Sequence, residues 1–294
     1  MTKEIVIYHS PDSDDAFMFW GIQSGAVSED GYKFSHILRD IQTLNLMALE
    51  GKPDVTAVSV YAYTKLFNTY NILECGASMG GKDYGPTVVS KSGGEIKENT
   101  TLAVPGSLTT ASLVLQLYLK DRGITSVALK EINFSEIEDA VLNGAVDAGV
   151  LIHEGQLTHQ EKGLKTVVNL GEWWWQKHSL PLPLGINIVK KTLPLEDQRC
   201  VFNVLQKSIV CGLENFNSAL EYALEFGRGL NRDKAEKFVK MYVNQFTKEL
   251  GDIGKKAIAL LIKEGQNQGI IKERIEEIFF VSNEGVKSFS LNFN

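Results

Sequence analysis

The stretch VDAGVLIHEG, residues 146–155, carries an apolar, β-favouring run straight into His153, Glu154 and Gly155. A histidine in that place suits three duties: metal ligation, acid–base catalysis, or the polar end of a buried strand. Metal ligation by HEGQLTH would need a second histidine four residues on, one helical turn away, and Leu157 stands there instead. His159 is six residues along without an evident third ligand, so no metal site is expected. A neutral imidazole titrates close to working pH, which fits it to take a proton from a substrate. On these residues alone, the base and the strand end both stay open. Glu154 reads as an exposed carboxylate finishing the strand.

Other motifs promise chemistry but lack its context. GASMG (residues 76–80) matches G-x-S-x-G, in which a strained strand-to-helix turn exposes the serine. Here GKDYGPTVVS follows, which reads as loop and strand, so Ser78 is not expected to be a nucleophile. GGKD lacks the spacing and the Ser/Thr of a P-loop, and no G-x-G-x-x-G occurs, so no nucleotide cofactor is expected. Two strand-to-helix turns, HSPDSDDAF and PGSLTTAS, could offer free N–H groups to an anion. Ordinary N-capping by Asp, Ser or Thr is the simpler account of both. In GEWWWQKHSLPLPLG three consecutive tryptophans cannot all face one way on a helix. Some are expected at a lobe boundary or pocket and at least one in the core. The repeated Leu-Pro suggests a stiff, extended crossing between lobes.

An α/β framework has to position these residues. Strand and helix patterns alternate through the first two-thirds of the 294 residues, and amphipathic helices follow from Leu195 onward. Residues 1–91 read as a first α/β lobe, with the Gly-, Ser- and charge-rich SKSGGEIKENT taken as the crossing. Residues 92–187 read as a second α/β lobe, and 188–294 as chain returning to the first with C-terminal helices. SEIEDAVLNG looks like a capping box on Ser135 and Glu138. The segments ALEGKPDVTAVS and VLNGAVDAGVLI echo one another, each a helix end, a glycine (Gly51, Gly144) and an Asp opening a strand. The echo puts Ser59 and His153 at comparable strand ends, where parallel α/β sheets gather ligands. The net charge of −6 argues against a nucleic-acid partner. No run is long enough to span a bilayer, and the N-terminus does not read as a signal peptide, so a cytoplasmic protein without a membrane partner is expected. Three cysteines without CxxC spacing read as reduced thiols.

The pieces SPDSDDAFMFW, ALEGKPDVTAVSVYAY, GPTVVS, VPGSLTTASL, AVDAGVLIHEG and LGEWWWQKHSLPLPLG, in this order, resemble the 1,4-dihydroxy-6-naphthoate synthase family of the futalosine route to menaquinone. The resemblance covers essentially the whole chain. It implies a two-lobe type 2 periplasmic-binding-protein-like fold with a ligand cleft between the lobes. It also implies a carbon–carbon lyase acting without a metal or nucleotide cofactor on a small anionic substrate, cyclic dehypoxanthine futalosine. His153 falls on the family's proposed base, and Ser59, Thr110 and Ala111 on ligand-contacting positions. The first loop departs from the family's S-P-C-P-N-D-T-F, with Asp12, Ser13, Asp14 and Ala16 replacing Cys, Pro, Asn and Thr. Ile186 likewise replaces a glycine. Extra carboxylates would repel an anion unless turned away or hydrogen-bonded. The alternatives to weigh are chorismate dehydratase, on the same scaffold, and a non-catalytic receptor for small carboxylates.

Overall fold

The computed structural model describes residues 2–292. The chain opens with β1 (Lys3–His9), α1 (Ser13–Gln23), β2 (Tyr32–Leu38), α2 (Ile41–Leu49), β3 (Val55–Ser59), α3 (Val60–Tyr63), β4 (Tyr70–Leu73) and β5 (Ser78–Gly80). Next come β6 (Thr87–Ser90), β7 (Thr101–Val104), α4 (Thr110–Asp121), β8 (Ala128–Glu131), α5 (Ile137–Leu142), β9 (Ala148–Leu151), α6 (Gly155–Thr158), β10 (Lys165–Asn169) and α7 (Leu170–His178). Then follow β11 (Leu182–Lys190), α8 (Leu195–Glu214), α9 (Phe216–Leu224), α10 (Arg232–Tyr242), α11 (Gln245–Lys248), α12 (Gly251–Asn267), β12 (Glu277–Ser282) and β13 (Gly285–Ser290).

Two mixed sheets result, ordered β13-β12-β4-β11-β3-β1-β2 with β5 beside β11, and β10-β6-β9-β7-β8. Strand pairing moves the crossings that the sequence places at 91/92 and 187/188. Thr87–Ser90 pairs antiparallel with Ala148–Leu151 and so belongs to the second sheet. Leu182–Lys190 pairs with β3 and β4 in the first. The chain therefore crosses at residues 81–86 and 179–181, and SKSGGEIKENT is a loop between two strands of the second sheet. The first crossing lies tight on the start of α7: a Cβ on Gly171 would sit 2.2 Å from Tyr84 O, and one on Gly85 2.7 Å from Gly171 Cα. Only hydrogen fits at both positions.

Helix α1 is apolar on nearly every side because it is enclosed by the first sheet and by α8, α9 and α10. Phe17, Met18 and Phe19 are fully buried there, at roughly 1.5–3 kcal/mol each. That is enough to hold a helix start burdened with buried carboxylates. A second apolar cluster runs through both lobes, joining Leu113, Leu117 and Trp174 to Ile186, Ile258 and Leu261. Trp174 has no exposure, and Trp173 is buried with Nε1 donating to Asp121 Oδ2 (3.1 Å). The C-terminal hairpin of β12 and β13 was not expected from sequence; it adds to the edge of the first sheet beside β4. Asn133, rather than Ser135, caps the turn before α5, accepting from Ser135 N, while Glu138 Oε2 accepts from Lys162 Nζ (2.5 Å). Among the described residues no helix is long and apolar enough to cross a membrane, and all three cysteines are free.

Candidate active site

A cavity of ≈ 110 Å³ lies between the lobes, and Ser59, Thr110, Ala111 and His153 all line it. Ser59 is the last residue of β3, with Oγ accepting from Asn45 Nδ2 (3.2 Å) and its N–H donating to Asn45 Oδ1 (2.9 Å). Thr110 and Ala111 open α4, whose N-cap is Thr109. The PGSLTTAS turn is thus an ordinary cap. The Thr110 hydroxyl is engaged between the lobes, donating to Leu184 O (2.7 Å) and accepting from Tyr61 N (3.3 Å). Only backbone groups remain at that position for a ligand. Ile41, Ile152, Leu184, Ile186 and Phe238 make much of the remaining wall apolar.

His153 sits just past β9 in left-handed backbone, φ 55°, which a non-glycine residue adopts at a cost. Gln156 steadies it: with the amide oriented to satisfy both ends, Nε2 donates to Gly85 O (2.6 Å) and Oε1 accepts from His153 N (3.3 Å). The ring meets Phe134 edge-on, centroids 4.9 Å apart. His153 Nδ1 lies 3.1 Å from Asp12 Oδ2, while Nε2 is buried and has no hydrogen-bond partner. Ile152 and His153 also line an adjoining recess of ≈ 440 Å³.

The HSPDSDDAF turn is filled by its own carboxylates and is no anion site. Asp12 is the N-cap of α1, yet its side chain makes no capping bond. It is paired instead with Arg228 Nη2 and with His153. Arg228 reaches over from the segment between α9 and α10, its Nη1 donating to Glu154 Oε2 (2.7 Å) and its Cζ 4.5 Å from the centre of the Phe134 ring. Glu154 is not an exposed strand-end carboxylate. It is 5% exposed, and Ser13 Oγ also donates to its Oε1 (3.0 Å), because the first lobe closes over it. Burial works to raise the Asp12 pKa, but contact with His153 and with the Arg228 guanidinium outweighs it and holds the carboxyl below its usual range. Among the described residues Asp14 forms no ion pair. Burial first, then the Asp12 charge, push it up to about 6, although Ser78 Oγ donates to its Oδ2 (3.1 Å). Asp15, accepting from Ser10 N (2.8 Å), is raised further by burial and by Asp14 and Asp12.

The decoys resolve by geometry. Ser78 starts a short strand rather than an elbow. His159 is bonded away from the cavity, Nδ1 to Gly155 O (3.1 Å) and Nε2 to Thr166 Oγ1 (2.9 Å). Among the described residues no cluster of three His, Cys, Asp or Glu side chains could hold a metal. None of the three consecutive tryptophans lines the cavity. The sequence reading missed Arg228, whose FGRGLN setting carries no chemical spacing, and Tyr242 and Phe238, which look like core residues of an amphipathic helix.

A model of the menaquinone biosynthesis family matches residues 5–267. The chain belongs to that family. A relative from Thermus thermophilus, a 1,4-dihydroxy-6-naphthoate synthase, is 33% identical over 89% of this chain and 93% of its own. An Archaeoglobus fulgidus protein of known crystal structure is 40% identical, with a TM-score of 0.85 over 91% of this chain and 98% of that one. The periplasmic aliphatic sulphonate binding protein of Escherichia coli, 11% identical, superposes with a TM-score of 0.64 over 100% of this chain and 97% of its own. That likeness speaks for the fold alone, a two-lobe periplasmic-binding-protein fold.

Proposed function

We propose that this family member is a 1,4-dihydroxy-6-naphthoate synthase, a carbon–carbon lyase that converts cyclic dehypoxanthine futalosine to 1,4-dihydroxy-6-naphthoate without a metal or nucleotide cofactor. The observation that carries the reading is His153: an imidazole on an interlobe cavity, one nitrogen 3.1 Å from a carboxylate oxygen and the other buried without a partner. In this reading Nε2 takes a proton from the substrate, and carbon–carbon cleavage then frees the sugar-derived fragment and leaves an aromatic ring. Aromatisation supplies the driving force, so no electron sink is needed. Ser59 Oγ accepts from Asn45, which leaves its own hydrogen free to donate to a developing enolate oxygen. The first-turn N–H groups of α4, at Thr110 and Ala111, lie outside the helical ladder and can serve the same oxygen or a substrate carboxylate. The cavity, ≈ 110 Å³, is smaller than the ~150 Å³ hollow that holds benzene in an engineered core, so a substrate of this size either extends into the adjoining recess or needs the lobes to part.

The test is product formation by purified protein given cyclic dehypoxanthine futalosine, with chorismate in a parallel reaction. Naphthoate made without added cofactor is the expected result; dehydration of chorismate, or binding with no turnover, would replace the reading with one of its rivals. His153→Asn should lower kcat by about 10²–10⁴-fold, the usual range for a positioned proton acceptor, with much less change in KM. A folded His153→Asn protein with near-normal turnover would reduce this histidine to a strand end.

A further inference from the structure

We propose that Asp12 is the positioning residue for His153, holding its Nδ1–H so that the Nε2 lone pair is presented as the base. The proposal rests on the functional reading above for the proton that Nε2 takes, but the pairing itself rests on geometry. Asp12 Oδ2 lies 3.1 Å from Nδ1, an ion-pair contact, and an ionised carboxylate beside a ring nitrogen can only accept; in the neutral imidazole that places the proton on Nδ1 and the lone pair on Nε2. Asp12 occupies an N-cap, where a carboxylate normally accepts from the helix's first free N–H groups, yet it makes no such bond. Its side chain is turned to His153 and Arg228 instead.

The carboxylate is itself fixed. Arg228 Nη2 grips Oδ1 and also donates to Pro11 O (3.2 Å), while Nη1 is tied to Glu154 across the lobes. Phe134 packs against both the imidazole and the guanidinium, limiting rotation of each. When Nε2 takes the substrate's proton, the imidazolium faces a buried anion already in contact, with no reorganisation required.

The decisive measurement is the histidine tautomer, read from two-bond nitrogen–proton couplings in ¹⁵N-labelled protein above pH 8. His153 is assigned by loss of its signals in His153→Asn. The wild type should show the Nδ1–H tautomer. Asp12→Asn can offer an N–H to Nδ1, so His153 should shift toward Nε2–H, with kcat down about 10²–10⁴-fold and KM within about threefold. Asp12→Glu, which restores the acceptor, should recover the tautomer and part of the rate. A wild-type Nε2–H tautomer overturns the proposal whether or not any variant folds. So does Asp12→Asn with unchanged kcat, or with its whole effect in KM. If wild-type protein forms no naphthoate, the reaction assignment fails while the tautomer still decides the pairing.

Discussion

Asp14→Asn should make the protein more stable at pH 8 and leave it unchanged near pH 4. Asp14 is 8% exposed, and its only hydrogen-bond donor among the described residues is the neutral hydroxyl of Ser78, so in the fold its charge is desolvated and set close to that of Asp12. Its pKa rises from 3.8 to about 6. Because the folded value is the higher one, the folded state holds a proton through this window that the unfolded chain has lost. Stability therefore declines as pH rises from about 4 to about 6, and the full cost is present above that. A shift of about two units corresponds to ~3 kcal/mol, an upper bound because the neighbouring carboxylates share the strain. Asparagine keeps an acceptor for Ser78 Oγ and removes the charge. With an unfolding entropy of ~2.1 cal/mol/K per residue over 294 residues, about 0.6 kcal/mol/K, the gain is at most roughly 5 °C in Tm. Thermal melts of both proteins at pH 4, 6 and 8 decide it. An equal gain at all three pH values, or a loss at pH 8, would show that the charge of Asp14 is not what costs stability.

Two further outcomes follow from the same geometry. Ser78→Ala should remain resistant to a serine-directed fluorophosphonate, as should wild type; rapid wild-type inactivation that disappears in the variant would reinstate Ser78 as a nucleophile. Arg228→Met keeps apolar contact with Phe134 but strands Asp12 and Glu154, costing about 3 kcal/mol at pH 7. Since Asp12 is held below its usual range, that contribution exists above the unfolded carboxylate pKa and fades as pH falls, so the loss in Tm should shrink in acid. A Tm difference that is the same at about pH 3, below the unfolded carboxylate pKa, as at pH 7 would mean that packing, not charge, is what the arginine supplies.

What was legible in the sequence was what local physics writes there. The glycines ending α2 and the helix before β9, Gly51 and Gly144, both adopt left-handed φ (67° and 80°), and each hands over to an Asp and a strand as the echo suggested. The echo puts Ser59 and His153 at comparable strand ends, Thr110 and Ala111 come from the family resemblance and not from local pattern, and all four line one cavity. What the sequence hid was decided between distant segments. Whether Thr87–Ser90 joins the first or second sheet depends on a partner about 60 residues away, and no local pattern carries that information. Glu154 looked exposed because its arginine lies 74 residues along the chain. The extra carboxylates of Asp12 and Asp14 looked repulsive to an anionic substrate unless turned away or hydrogen-bonded; one is neutralised by Arg228, and the other is shifted toward its protonated form.

The place of β11 has a consequence for how the molecule is made. It lies between β3 and β4, so before Leu182 leaves the ribosome the host sheet exists only as β3-β1-β2 with β4 detached from it. The inserted sheet is different: residues 87–169 supply every one of its strands without interruption. Vectorial synthesis therefore delivers a complete insert into an incomplete host, and β11 is both the exit from the insert and the splice that joins the host's two halves. The first acidic loop waits longer still, because the arginine that neutralises Asp12 is encoded 216 residues after it.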